Sequence, residues 1–320
     1  QPAKTYLQIV GGFCILNALI PICSSYLRAF GFSKEPLYAS IIGNVINFCL
    51  NAFFLFVLHK GVAGVATATV ISRIINLVIV VLLGAVLVKA KQHPERESNR
   101  AVMGQIIRIG LPSACETAIY NVSMTLVIRF LNQMDAQGLN VTARSYTMQI
   151  TNFSYCVGAA LAQANAIMTG WHIGAKEYDA CDRGTKKAAV IGVIVAVILE
   201  TVFTLCSGWI MQLFSKDPQM VSLVGKLLAI DIVLEIGRVT NLVYGQALKT
   251  SGDAVFPVVM GACFMILCSV GGTYLFGIRL GLLAVGAYIG MTGDECVRAV
   301  GMYLRWKSGK WKEKGLVKSR

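Results

Sequence analysis

Glu116 stands in the run Gly110-Leu-Pro-Ser-Ala-Cys-Glu116, inside an apolar stretch that begins near residue 105. About twelve residues of helix at 1.5 Å each is roughly 18 Å, which puts this carboxylate near the middle of a bilayer-spanning segment. An ionised side chain at that depth costs on the order of 3 kcal/mol even on the mildest insertion scale. No basic residue lies three or four positions away on the same helix to offset the charge. Pro112, four residues earlier, disturbs the helical ladder and frees a carbonyl, offering a cation a second oxygen. The chemistry expected of Glu116 is binding of a cation or uptake of a proton. The competing reading is a neutral glutamic acid hydrogen-bonded to a neighbouring helix.

A second group of charges lies in one later stretch, Asp231, Glu235 and Arg238. Glu235 and Arg238 are three residues apart and can neutralise each other on one helical face, which Asp231 shares. A salt-bridged cluster facing an interior is expected, with Asp231 and Glu235 as electrostatic support for cation binding and Arg238 as their structural counter-ion. Asp294 or Glu295 with Arg298 repeats the pairing in a structural role, and Glu200 stands isolated in its own stretch. Asn44, Asn47 and Asn51 recur at three and four residues and form one polar stripe. Such a stripe binds a cation or joins helix to helix, as Gln163 and Asn165 can do elsewhere.

Other chemistries lack their parts. There is no phosphate-binding G-x-x-x-x-G-K-[ST], no G-x-G-x-x-G, no H-E-x-x-H and no G-x-S-x-G. His59, His93 and His172 are scattered, and no two cysteines form a CxxC. Buried cysteine behaves as a small hydrophobe, so no metal site is expected beyond a Na⁺ at Glu116, and no organic cofactor.

The elements that position these residues follow from composition. Of 320 residues, 56% are hydrophobic and 14% charged, with a mean hydropathy of +0.65. A soluble domain carries roughly 25% charged residues. The expected class is an all-α, polytopic membrane protein with about nine transmembrane helices, over residues 6–28, 36–58, 62–88, 105–130, 141–169, 188–214, 220–247, 255–278 and 282–304. Kinks are expected at Pro21 and Pro112. The net charge of +13 does not point to nucleic acid, because seven lysines and arginines against Glu313 crowd into residues 305–320. With the loops 89–100 and 174–187, each holding four basic residues, this tail falls on one face, the cytoplasmic one by the positive-inside rule. Residue 1 is then outside.

An internal repeat supports that count. Residues 26–43 and 244–261 match at an offset of 218 through Tyr26/Tyr244, Ala29/Ala247, Ser33/Ser251 and Gly43/Gly261, and Gly61-Val62 resembles Gly281-Leu282 at 220. Spans one to three thus look like a copy of spans seven to nine. Spans four to six have no earlier counterpart, so three preceding spans are expected in an intact form built of two six-span halves.

The runs Gly61-Val-Ala-Gly-Val-Ala-Thr-Ala-Thr-Val-Ile-Ser-Arg73, Arg108-Ile-Gly-Leu-Pro-Ser113, 235–253 and Arg305-Trp-Lys-Ser-Gly-Lys-Trp311 together resemble bacterial-type multidrug and toxic compound extrusion (MATE) transporters, from that family's fourth span to its twelfth. The resemblance implies a two-lobed antiporter that exports organic cations in exchange for H⁺ or Na⁺. On it, residues 1–88 are the second half of an N-lobe and 89–103 a cytoplasmic linker. Residues 104–305 are then a C-lobe, and 306–320 a basic cytoplasmic tail. Glu116 matches the family's acidic residue of the seventh span, and Asn47 and Asn51 match an N-x-x-x-N pattern of its fifth. Arg238 stands where sodium-type members carry an aspartate, a departure from the usual Na⁺ site. Tyr120 would stack on the cationic substrate. A monomer in a bacterial inner membrane, with small organic cations and lipid as partners, is implied. The alternatives are a lipid-linked oligosaccharide flippase of the same superfamily, using Arg129 and Arg238 on pyrophosphate, and a membrane-embedded enzyme, for which no paired nucleophile and base is visible.

Overall fold

The computed structural model describes residues 2–89, 99–135 and 138–314, and these are helical with no strand among them. They fall into two compact units, 1–96 and 97–320. The first holds α1 (Pro2–Gly12), α2 (Ile15–Ala29), α3 (Lys34–Ala52) and α4 (Gly61–Lys89). The second holds α5 (Asn99–Met134), α6 (Leu139–Gly174), α7 (Tyr178–Leu205), the short α8 (Ser207–Gln212), α9 (Pro218–Thr250), α10 (Val255–Phe264) and α11 (Leu283–Lys307). Helix α3 continues through a π-helical turn, Phe53–Val57, and α10 through two more, Met265–Val270 and Thr273–Arg279. A 3₁₀ turn, Lys310–Glu313, follows α11. The linker expected at 89–103 and the end of the basic tail lie largely outside the described residues.

Large apolar side chains project outward, with Phe56 76%, Leu205 81% and Leu213 79% exposed. Water does not tolerate such a surface over a whole molecule, whereas lipid does. Among the described residues, 34–57, 61–88, 178–205 and 255–279 are long and apolar enough to cross a membrane, and α1 and α2, bent by 43° at their break, are so when taken together. Helices α5, α6, α9 and α11 have the length, at 36, 36, 33 and 25 residues, but are more polar. They contribute most of the lining of the polar cavity described below.

Local structure departs from the sequence reading in two places and adds a break in a third. Helices α2 and α5 stay continuous through Pro21 and Pro112, and the first predicted span is interrupted at Phe13–Cys14. The basic stretch 174–187 is mostly the first turns of α7, where Lys186 pairs with Asp182 at 2.7 Å, so the true loop is only 175–177. The repeat runs at an offset of 221 to 222, not 218. Phe32 N–H donates to Leu27 and Asp253 N–H to Leu248, each beside a glycine of positive φ, Gly31 and Gly252. Lys60 N–H donates to Phe54 and Leu282 N–H to Phe276, closing the same wide turn. Asn47 donates to Ser72 at 3.1 Å where, 222 residues on, Ser269 donates to Asp294 at 2.9 Å.

Helix α9 is the axis of the second unit, packed on α6, α7 and α11. Gly237 brings it against the backbone of α11: a Cβ there would stand 2.9 Å from Cys296 N. Between membrane helices such small residues supply close packing that the hydrophobic effect cannot.

Candidate functional site

The second unit contains a cavity of about 250 Å³, lined by Glu116, Thr117 and Tyr120 of α5, Tyr155 of α6, residues of α9 from Arg238 to Lys249, and Glu295, Arg298 and Met302 of α11. Glu116 is halfway along α5 and finds its counter-charge on another helix. The Lys249 ammonium donates to Glu116 Oε2 at 2.6 Å, and both side chains are about one-fifth exposed to the cavity. Lys249 is the penultimate residue of α9. The lysine side chain therefore reaches from the last turn of α9 to a carboxylate at the middle of α5. Gly261 of α10 makes room for it, since a Cβ there would lie 3.3 Å from Glu116 Oε1.

The cavity's other carboxylate, Glu295, is tied from three sides. Arg298 reaches it at 2.9 Å, Asn241 donates to it at 3.0 Å, and Arg238 approaches to 3.9 Å. Arg298 also grips Asp294 through two parallel hydrogen bonds of 2.9 and 2.8 Å. Arg238 donates to Glu235 at 3.0 Å and lies 6.0 Å from the Tyr155 ring centroid.

Behind Arg238 the carboxylate oxygens of Glu200, Asp231 and Glu235 converge within 4.8 Å of one another, all three side chains buried. Glu200 reads as isolated along the chain, but α7 packs on α9 and delivers it to the other two. A second cavity of about 220 Å³ reaches Asp231 and shares Tyr120, Tyr155 and Arg238 with the first. Sequence reasoning missed Lys249 and gave Glu295 only a pairing role. The signal for Lys249 was a lone cation one turn from a helix end; its partner could not be read off the helix period.

Asn47 and Asn51 belong to the first unit. Asn51 donates to Asn47 at 3.0 Å, and Asn47 in turn to Ser72 of α4, an arrangement that joins helices. Tyr120 is 42% exposed and lines both cavities.

Beyond the cavity, at the end where α9 stops, the chain after α11 is fastened down. Arg305 and Lys314 each donate to the buried Asp253 carboxylate at 2.7 Å. Burial works against ionisation of Asp253, but these hydrogen bonds outweigh it and hold the carboxyl below its ordinary value. Trp306 donates to Asp182 at 2.9 Å and stacks on Trp311 at 4.2 Å.

The MatE family model matches residues 112–275, from Pro112 of α5 into the second π-helical turn after α10. The chain belongs to the MATE family. MATE proteins are membrane transporters, not enzymes. "Uncharacterized transporter YisQ" of Bacillus subtilis is 34% identical over 98% of this chain and 70% of its own length. "Probable multidrug resistance protein NorM" of Thermotoga maritima is 22% identical over 98% of this chain and 68% of its own. Among solved structures, "Crystal structure of MATE in the straight conformation" superposes with a TM-score of 0.84 at 18% identity, covering 97% of this chain and 70% of that one. "Crystal structure of eukaryotic MATE transporter AtDTX14" gives 0.85 at 18%, covering 98% and 69%. These superpositions speak to the MATE fold.

Proposed function

We propose that this MATE chain exports organic cations, drugs and toxic compounds among them, in exchange for H⁺ or Na⁺, with Glu116 as the carboxylate that substrate and coupling ion use in turn. The observation that carries this is the Glu116–Lys249 pair open to the cavity. An organic cation entering there meets the Tyr120 ring, gains a cation–π contact, and replaces the lysine at Glu116. Asp231 and Glu235 add negative potential from behind Arg238. The names of the relatives support the same reading, since NorM of Thermotoga maritima is described as a probable multidrug resistance protein.

The lobe assignment belongs to this proposal: 1–88 and 104–305 as parts of two lobes, 89–103 as their linker and 306–320 as a basic tail in the cytoplasm. So do a monomeric state and residence in the bacterial inner membrane, and a role for Asn47 and Asn51 in the first unit. The flippase alternative needs free arginines, and Arg238 is already engaged by Glu235 and Glu295. Uptake of a cationic dye by cells expressing the protein separates the two: an exporter lowers dye accumulation and a flippase is indifferent to it.

A further inference from the structure

The first turns of α7 and the turn after α11 are drawn together by the hydrogen bond from Trp306 to Asp182, and Tyr178 meets the Trp311 ring edge-on at 5.9 Å. Trp311 N–H donates to Trp306 O at 3.0 Å and the two indoles stack, so the turn folds back on the helix before it. Both tryptophans are buried. This strap gathers basic residues from two distant parts of the chain onto one surface. Lys186 and Lys314 are engaged by Asp182 and Asp253. Arg183, Lys187, Lys307, Lys310 and Lys312 are exposed and have no ion pair among the described residues, and the exposed acids on the same two segments are Asp179 and Glu313. Like charges fixed close together repel, and an anion that binds them relieves the repulsion.

The position of these cations says what kind of anion. On α7, Arg183, Lys187, Ile191, Ile194, Ile198 and Val202 recur at three or four residues, so they share one helical face, and all six are exposed. On α11, Val297, Val300, Leu304 and Lys307 follow the same spacing and are exposed too. Each is an apolar stripe of the kind that faces acyl chains, headed by basic residues at the end where α7 begins and α11 stops. Arg183 and Lys307 directly follow the two residues joined by the Trp306–Asp182 bond, which sets the heads of the stripes side by side. We propose that this surface binds the phosphate of an anionic phospholipid, with the acyl chains lying along the two stripes. The long stems of Arg183 and Lys187 reach the headgroup level while their helix stays in the acyl region. Charge selects the headgroup: basic clusters at the membrane surface attract anionic lipids, whereas a choline headgroup brings a cation that cancels its own phosphate. The apolar stripes select a lipid over a soluble phosphate, which has nothing to lay against them.

Lipid binding here is independent of the exchange at Glu116 and is measured without transport. The purified protein in a non-ionic detergent is titrated with phosphatidylglycerol or phosphatidylcholine, with and without inorganic phosphate, and native mass spectrometry counts the lipid it retains. Phosphatidylglycerol should reach half-retention at a concentration at least tenfold below phosphatidylcholine, and inorganic phosphate at a concentration equal to the lipid's should not displace it. Each basic residue lost should raise the phosphatidylglycerol midpoint about fivefold. Arg183→Gln with Lys187→Gln therefore raises it about thirtyfold, and Lys307→Gln, which decides the matter if that double variant fails to fold, about fivefold. Lys216→Gln with Lys226→Gln removes two exposed cations near the start of α9, at the other end of the bundle, and should leave the midpoint within twofold. Equal midpoints for the two lipids, displacement by inorganic phosphate, midpoints unchanged in the α7 and α11 variants, or an equal loss in the Lys216 and Lys226 pair would overturn the site.

Discussion

Lys249 Nζ lies 2.6 Å from Glu116 Oε2, across the gap between α9 and α5. The contact differs in kind from its neighbours. Arg298, on the same cavity, holds a buried Asp294 by a planar two-bond fork, whereas Lys249 offers a point charge on a flexible stem to a half-buried carboxylate. The pair lines the cavity, so a cation arriving there can reach the carboxylate and take the lysine's place. Under the proposed exchange the arginines and the lysine have different work: the first hold the wall, and the second holds the binding position until substrate or a coupling ion arrives.

Removing the competitor should therefore strengthen binding. Lys249→Gln is expected to tighten the Kd for a cationic dye by about fivefold, the equivalent of about 1 kcal/mol, measured by fluorescence anisotropy on the purified protein. Turnover should slow because release loses its driving partner. A weaker Kd would show that Lys249 supports the site instead of competing for it.

The sequence carried much of this and concealed the rest for a physical reason. Composition and hydrophobic runs are local properties, so the all-α membrane class and the helices were readable, and the Glu235–Arg238 pair follows from helical spacing alone. Lys249 and Glu116 are 133 residues apart, and Glu200 reaches Asp231 only because α7 packs on α9. Helical period says nothing about which faces of different helices meet. The basic stretch 174–187 misled because charged residues that look like a loop pair along the first turns of α7.

Gly261 provides a steric test of the same site. A Cβ at 3.3 Å from Glu116 Oε1 requires a shift of a few tenths of an ångström, so Gly261→Ala should leave dye export within about twofold. Gly261→Val adds methyl groups that drive the carboxylate away, and overpacking of this kind costs about 1–3 kcal/mol. Export rates of the two variants at equal membrane abundance check this, and equal activity would count against the packing described.

The clamp at Asp253 has a defined pH response. Its carboxyl is held below the ordinary value by Arg305 and Lys314, so its contribution to stability is fully present above the unfolded-state value, near 3.9. It is lost as pH falls through the lower folded-state value. Asp253→Asn should lower Tm at neutral pH by the equivalent of about 1–3 kcal/mol, and the gap from the parent protein should close in strong acid. A gap that stays constant with pH would remove the charge argument.

The central claim, that Glu116 carries the cation, is tested most directly by accumulation of a cationic dye in energised cells. The parent protein should lower accumulation, and Glu116→Gln at equal abundance in the membrane should restore the level of cells without the protein. Export by Glu116→Gln at the parent rate would contradict the account.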